Sequence, residues 1–149
     1  MACLLRMTQT TKNDRLRHQV PGHKRVVQFA PGHYTSGMGG ISTHVLDTAK
    51  GLPAQGVRVV LERRLPEGGW AEIGSGVTDE NGRIARLLGN GEALQAASYR
   101  LTFSTAEYFK PQECFYPEVT VLFDVRNAST HHHIPLLLSP YGYTTYRGS

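Results

Sequence analysis

The chain has 149 residues, of which 40% are apolar and 19% charged, and its formal net charge is +4. This length and apolar content suit one domain of ordinary size with one core, and no apolar stretch approaches the roughly 18 residues that a membrane-spanning helix needs. Two cysteines, Cys3 and Cys114, are too few for a disulfide framework or a zinc knuckle, which favours a reducing compartment.

The positive charge is concentrated in residues 1–40, which carry six Lys or Arg against one acid, whereas residues 41–149 carry ten against eleven. The second segment has no basic stripe with interleaved aromatic residues, which argues against nucleic-acid binding. We predict a disordered basic leader at 1–40 and a single domain at 41–149. Within the leader, Arg15-Leu16 followed by His23 resembles a peroxisomal signal whose spacer is one residue too long, so we expect a peroxisomal or cytoplasmic location.

From residue 41 onward, short apolar runs with period-two alternation are separated by Gly, Pro, Asn and Asp, which is typical of an all-β domain. Seven or eight strands at this spacing, with no long helix, predict a β-sandwich. The segment 52–56 is predicted to be a turn, and 105–110 a single helical turn. The predicted strands cover residues 43–46, 57–63, 70–77, 83–88, 98–104, 118–125, 131–138 and 143–147.

One predicted strand departs from this alternation. Leu136-Leu137-Leu138 is apolar on both faces, although a strand with one solvated face should be apolar on only one. We therefore expect a second subunit to cover its outer face, in a homo-oligomer of closed symmetry with apolar contacts through the C-terminal strands. The tail at 141–149 is rich in tyrosine, unlike a fraying terminus, and is also predicted to be ordered.

Three segments place reactive side chains on predicted strands where core residues are expected. Period two puts His131 and His133 on one face and His132 on the other, so two imidazoles can converge. Histidines and an arginine suit metal-free hydrolysis of a small, planar, polar substrate. A neutral imidazole can deprotonate water, and a guanidinium can bind carbonyl oxygens. The three segments are 42–47, 81–83 and 130–135.

Structural interpretations compete for the same residues. His44, taken alone, is more often a hydrogen-bonded surface or half-buried residue than a catalyst, and Arg83 beside a turn is usually a solvated charge. The His triplet suggests a metal site, because His-x-His on a strand presents two ligands. Spacing identifies no carboxylate or thiol that could serve as the third ligand beside the two histidines, so we expect no metal.

Three segments closely resemble the 5-hydroxyisourate hydrolases, also called transthyretin-related proteins. They are STHVLD at 42–47, HIPLLLSP at 133–140 and YTTYRGS at 143–149, and the likeness covers roughly residues 41–149. The terminal Tyr-Arg-Gly-Ser distinguishes these hydrolases from the hormone-carrying transthyretins, which lack it. The resemblance implies a transthyretin-like β-sandwich assembled as a dimer of dimers, a homotetramer with active sites in a channel between dimers.

The resemblance also implies a reaction, which is the opening of 5-hydroxyisourate, the product of urate oxidase, to 2-oxo-4-hydroxy-4-carboxy-5-ureidoimidazoline without metal or organic cofactor. The family's catalytic residues fall on His44, Arg83 and His133. His44 and Arg83 are also expected to bind the substrate, together with Tyr146 and Ser149. Relatives often carry His-aromatic-His where this chain has three consecutive histidines, which leaves the roles of the first two open.

Other functions stay open on the sequence. A transthyretin-like carrier of an iodinated aromatic would need a channel lined by small and apolar residues. A zinc hydrolase would use the His triplet. A β-sandwich adhesion or regulatory module would give the terminal tetrapeptide no role. The sequence also does not identify which histidine acts as the general base.

Overall fold

The computed structural model describes residues 39–148, so the predicted leader with its targeting motif and the terminal Ser149 lie outside the described residues, apart from Gly39 and Gly40. The predicted all-β sandwich with one short helix is confirmed. Within 39–148 no helix is long and apolar enough to cross a membrane. The elements are β1 (Ile41–Asp47), β2 (Leu52–Pro53), β3 (Arg58–Arg64), β4 (Trp70–Val77), β5 (Arg83–Ile84), β6 (Ala97–Phe103), α1 (Thr105–Phe109), β7 (Val119–Val125), β8 (His132–Ser139) and β9 (Gly142–Thr145).

Two sheets pack face to face. The first has the order β2-β1-β8-β9, with β5 also paired to β1, and the second has the order β4-β3-β6-β7. The β1–β8 pair is parallel, and the other pairs are antiparallel. Alternate residues of the central strands fill the space between the sheets, as the fully buried Tyr99, Leu101 and Phe103 of β6 show. Strand β7 alternates in the same way, with Val119 and Val125 buried and the residues between them alternately half-buried and exposed.

The strand predicted at 83–88 is wrong beyond its second residue. Only Arg83–Ile84 pairs with β1, and the chain then crosses from one sheet to the other. The backbone N–H of Leu87 donates to Ile41 of the first sheet, and that of Gly89 donates to Ile73 of the second. Leu87 and Leu88 are buried in this crossing, so apolar residues that suggested a strand fill the core from a loop.

Most of the other predicted strands differ from the observed ones by one or two residues at an end, and three differences matter here. The predicted turn at 52–56 contains the two-residue strand β2, which pairs with the end of β1. Strand β8 begins at His132 rather than at His131. Strand β9 ends at Thr145, because the next contact of the tail with β8 is an isolated bridge between His133 and Gly148.

Strand register decides which side chains share a surface. Ile41, Thr43 and Val45 of β1 are buried against the core, which turns Ser42 and His44 to the outer face of the first sheet. His44 is the Cα partner of Arg83 across the antiparallel pair, and Ser42 is the Cα partner of His133 across the parallel pair. The outer face therefore gathers side chains from β1, β5 and β8.

Candidate active site

The three predicted catalytic residues lie on neighbouring strands of one sheet face. A cavity of about 440 Å³ is lined by Ser42, Arg83, His131 and His133, together with residues 43, 84 and 85. His44 lies beside this cavity as the cross-strand partner of Arg83. Residues from β1, β5 and β8 therefore meet although some 90 positions separate Ser42 from the histidines.

A tight turn after β4 positions Arg83. The carboxylate of Asp79 accepts hydrogen bonds from the backbone N–H groups of Asn81 at 2.9 Å and Arg83 at 2.8 Å. Gly82 has φ +71°, and a Cβ there would lie 2.3 Å from the carbonyl oxygen of Val45. The N–H of Val45 in turn donates to the carbonyl of Gly82 at 2.7 Å. The turn is thereby docked on β1 immediately beside His44.

Ser42 is a member of the site that sequence analysis did not single out. It is buried, with 7% of its surface exposed. Its Oγ lies 2.7 Å from Nε2 of His131 and 2.9 Å from Nδ1 of His133, and both distances fit hydrogen bonds. The available signal was its position two residues before His44, on the same face of β1.

The imidazoles of the site are held toward their neutral form. Burial lowers the pKa of His44, and the positive charge of Arg83 lowers it further, against a smaller opposing effect of Asn81 and Asp79. Burial also lowers the pKa of His133, followed by the charges of Arg83, His131 and His44. Both side chains are therefore available as bases at neutral pH.

The three consecutive histidines have different surroundings. His132 projects from the other face of β8, and its Nδ1–H donates to the carbonyl of Thr130 at 3.0 Å. Burial and the neighbouring His132 lower the pKa of His131. Within residues 39–148 no group of three or more His, Cys, Asp or Glu is arranged to hold a metal ion.

The C-terminal tail runs along the site from β9. The hydroxyl of Thr145 donates to the carbonyl of Pro135 at 2.8 Å, and the backbone N–H of Gly148 donates to the carbonyl of His133 at 2.9 Å. Tyr146 is 56% exposed and lines a second cavity, of about 580 Å³, rather than the one that contains Arg83. His133 lines both cavities and so lies between them.

The family follows from comparison with known proteins. Residues 41–148 match the family model described as HIUase/Transthyretin family. The chain belongs to this family. One relative, a 5-hydroxyisourate hydrolase of Salmonella typhimurium, is 45% identical to this chain over 111 residues. These residues are 73% of this chain and 80% of the relative. The uric acid degradation bifunctional protein TTL of Arabidopsis thaliana is 39% identical over 94% of this chain and 46% of its own length.

Solved structures of the family have the same fold. The structure of Klebsiella pneumoniae 5-hydroxyisourate hydrolase is 35% identical with a TM-score of 0.64, and the match covers 74% of this chain and 99% of that one. Transthyretin from Sparus aurata is 33% identical with a TM-score of 0.67 over 72% of this chain and 95% of its own. The backbone therefore resembles both branches of the family equally, and the site residues must distinguish them.

Proposed function

We propose that this protein hydrolyses 5-hydroxyisourate to 2-oxo-4-hydroxy-4-carboxy-5-ureidoimidazoline, as a step of urate degradation, without metal or organic cofactor. The observation that carries the proposal is the convergence of His44, Arg83 and His133 on one sheet face beside one cavity. The names of the relatives from Salmonella typhimurium and Arabidopsis thaliana support the substrate and the pathway.

In the proposed mechanism, His44 and His133 orient and deprotonate a water that attacks the C6 carbonyl of the substrate, and the C6–N1 amide bond then breaks. Their lowered pKa values keep the imidazoles neutral and able to take the proton. Arg83 binds the substrate and stabilises the oxyanion, which is worth about 3 kcal/mol if it behaves like other preorganised donors. Tyr146 and Ser149 are proposed to hold the substrate or the water, Tyr146 from the adjoining cavity that His133 also lines.

We also propose that the protein assembles as a homotetramer in which a neighbouring copy closes the site. The site lies on the outer face of the first sheet, where no other layer of the same chain in the described range covers Arg83. Leu137 also faces outward there and is only half-buried. Light scattering on the purified full chain tests this assembly, and a monomer at working concentration would contradict it.

The decisive assay generates the unstable substrate in place. Urate oxidase converts urate, and the loss of 5-hydroxyisourate absorbance is then followed with and without the protein. We expect a faster loss that is proportional to protein concentration and survives a metal chelator. A rate equal to the spontaneous decay would contradict the proposed function, and a chelator-sensitive rate would favour a metal hydrolase. A matched control is His132→Tyr, which places an aromatic residue beside His133 and should keep the activity.

A carrier function is the second candidate, because the chain resembles the Sparus aurata transthyretin as closely as it resembles the hydrolase structure. A carrier channel should be lined by small and apolar side chains, whereas the cavity here presents Arg83, His133 and Ser42. Displacement of an iodinated aromatic hormone separates the two functions. Micromolar or tighter hormone binding without substrate turnover would favour the carrier.

The cellular location is proposed as peroxisomal or cytoplasmic, because Arg15-Leu16 and His23 form an imperfect targeting signal. The test fuses residues 1–40 to the N-terminus of a fluorescent reporter, which leaves the C-terminal tail out of the experiment. Punctate fluorescence that becomes diffuse in Arg15→Ala would support the peroxisome. Diffuse fluorescence with both fusions would support the cytoplasm.

A further inference from the structure

Ser42 bridges two imidazoles, of which the mechanism above uses only one. Its buried hydroxyl lies within hydrogen-bonding distance of Nε2 of His131 and of Nδ1 of His133. A serine hydroxyl carries one proton, so between two ring nitrogens it accepts a hydrogen bond from one and donates to the other. The bridge therefore couples the rings, because the nitrogen facing Ser42 is protonated on one ring and unprotonated on the other.

We propose that Ser42 and His131 are positioning residues that hold His133 in the tautomer with its proton on Nδ1, and that Ser42 relays this proton to His131 when water attacks the substrate. The tautomer concerns the free protein, whereas the relay rests on the proposed hydrolytic function. The two parts can therefore be tested separately.

The bridge gives His133 the form that a general base requires. His133 Nδ1–H donates to Ser42, and the Ser42 hydroxyl donates to Nε2 of His131, which leaves Nε2 of His133 unprotonated. In the opposite arrangement Nε2 of His133 would carry the proton and could not accept one from water. Fixing the tautomer of a catalytic imidazole through its second nitrogen is a general way of preparing it for proton transfer.

The relay conserves protons and charge. Water forms a C–O bond to the carbonyl carbon, the π electrons move to the carbonyl oxygen, and the water proton goes to Nε2 of His133. The Nδ1 proton of His133 passes to Oγ of Ser42, and the original Ser42 proton passes to Nε2 of His131. One oxyanion and one imidazolium, on His131, result from neutral reactants.

Burial and neighbouring charges oppose a positive charge on His133. The charged and titratable groups that face His133 are Arg83 on β5, His131 beside it and His44 on β1. After burial, which is the largest cause, all three lower its pKa, and a backbone hydrogen bond with Ser42 offsets only part of this. Arg147 of the tail lines the adjoining cavity with it. An imidazolium on His133 would therefore be repelled by the guanidinium that the oxyanion needs.

The ring that receives the proton lines the same cavity, but different groups lower its pKa. Burial and His132 are what lower the pKa of His131. After the relay, the imidazolium lies on the far side of Ser42 from His133. His133 is then neutral again, so Arg83 can stabilise the oxyanion without a second positive charge on the His133 ring beside it.

The backbone around His131 fixes its ring for this contact. A Cβ at Gly40 would lie 3.3 Å from Nδ1 of His131, so the glycine lets the imidazole pack closely on the chain before β1. The N–H of His132 donates to the carbonyl of Gly40 at 2.8 Å. A Cβ at Gly39 would collide with the carbonyl of Ala128 at 2.0 Å, so this approach also requires glycine.

The tautomer is measured by ¹⁵N NMR of the imidazoles in the substrate-free full chain. We expect His133 to carry its proton on Nδ1 in the natural protein and in Ser42→Thr, which keeps the hydroxyl. In Ser42→Ala we expect the Nε2-protonated form to become substantially populated. A natural protein with His133 protonated on Nε2, or an unchanged tautomer in Ser42→Ala, would overturn the proposal whether or not the protein is a hydrolase.

The relay is measured by kinetics with freshly generated 5-hydroxyisourate. General acid–base groups contribute about 10²–10⁴-fold and Ser42 acts behind one of them, so Ser42→Ala should lose about 10–100-fold in kcat with little change in KM, and Ser42→Thr should recover most of it. An unchanged kcat in Ser42→Ala would overturn the relay. If the natural protein itself has no turnover, the proposed function fails while the NMR test of the tautomer stands.

A variant of His131 separates hydrogen bonding from proton transfer. His131→Gln keeps a group that can accept from Ser42 but cannot take up a proton. The measurement is kcat in mixtures of H₂O and D₂O, plotted against the deuterium fraction of the solvent. The natural protein should give a curve, because several protons move in one step. His131→Gln and Ser42→Ala should each give a straight line, because only one proton moves. Adding Ser42→Ala to His131→Gln should cost little more. A straight line for the natural protein would contradict the relay.

Discussion

The backbone N–H of Gly148 donates to the carbonyl oxygen of His133 at 2.9 Å, so the end of the described chain is bridged to the strand that carries a candidate base. A Cβ on residue 148 would lie 2.5 Å from Cδ2 of the imidazole, which is closer than such contacts occur. The tail therefore packs directly against the ring of His133. An aromatic-rich terminus is explained if its end helps to shape the site.

Replacing Gly148 should move the His133 ring. We expect Gly148→Ala to lower kcat by about 100-fold, because displacing a reacting group by about 1 Å can cost that much. The matched control is Gly142→Ala in the same tail, where a Cβ would make only an ordinary contact of 3.6 Å with Ser139. Steady-state kinetics and thermal melting of both variants check the prediction, and equal kcat values in the two would contradict it.

The turn at residues 79–83, which Asp79 holds, should matter more for the position of Arg83 than for the stability of the fold. Asp79→Ala removes two hydrogen bonds to backbone N–H groups, and because the turn is exposed we expect a loss of about 1–2 kcal/mol of unfolding free energy. The activity should fall further than this, because Arg83 loses its position. Asp79→Asn keeps an acceptor oxygen and should retain most of the activity. Chemical denaturation and kcat/KM measure the two effects, and an active Asp79→Ala variant would refute the role of the turn.

The pH dependence should reflect the lowered pKa values of His44 and His133. Below the ordinary histidine pKa of 6.5 the unfolded chain binds protons that the folded protein resists. The stability contributed by the neutral imidazoles is therefore complete above pH 6.5 and is lost as the pH falls through their folded pKa values. The activity should likewise persist below pH 6.5 before it declines.

Denaturant midpoints measured between pH 8 and 5 check this dependence. The double variant His44→Ala with His133→Ala should show a weaker loss of stability over that interval than the natural protein. A loss of the same size in both proteins would assign the dependence to other groups.

A second network should matter for stability alone. The buried carboxylate of Asp47 accepts hydrogen bonds from the backbone N–H groups of Ala49 and Lys50 and from the hydroxyl of Tyr108 on α1 at 2.9 Å. Asp47→Ala leaves these donors without their partner and should cost about 3 kcal/mol, whereas Tyr108→Phe should cost about 1 kcal/mol. Lys50→Ala should cost less than about 1 kcal/mol, since that ammonium group is largely exposed. Chemical denaturation of the three variants tests this order. A larger loss of unfolding free energy in Lys50→Ala than in Asp47→Ala would contradict it.

Local patterns in the sequence were enough to predict the sandwich. The period-two alternation of the segment 98–104 puts Tyr99, Leu101 and Phe103 on one face, and all three are fully buried, because period two follows from the geometry of a single strand. The crossing after Ile84 was missed because a buried loop and a strand present similar apolar residues. Only the pairing partners of Leu87 and Gly89 distinguish the two, and these lie far away in sequence.

The period-two geometry of a strand also made part of the candidate site predictable. Period two placed His131 and His133 on one face, which agrees with their shared contact with Ser42. Ser42 itself was missed because its register against His133 depends on the parallel pairing of β1 with β8, which no local pattern encodes. The family resemblance supplied His44 and Arg83 as partners, and their cross-strand pairing gives that expectation a structural basis.

The central claim is that the imidazoles of His44 and His133 act together on one substrate. It is tested most directly by the rate at which His44→Ala and His133→Ala consume freshly generated 5-hydroxyisourate, compared with the natural protein. General acid–base groups contribute about 10²–10⁴-fold, so each variant should lose at least about 100-fold in kcat/KM while its melting temperature stays close to that of the natural protein. Near-normal turnover in either folded variant would contradict the account.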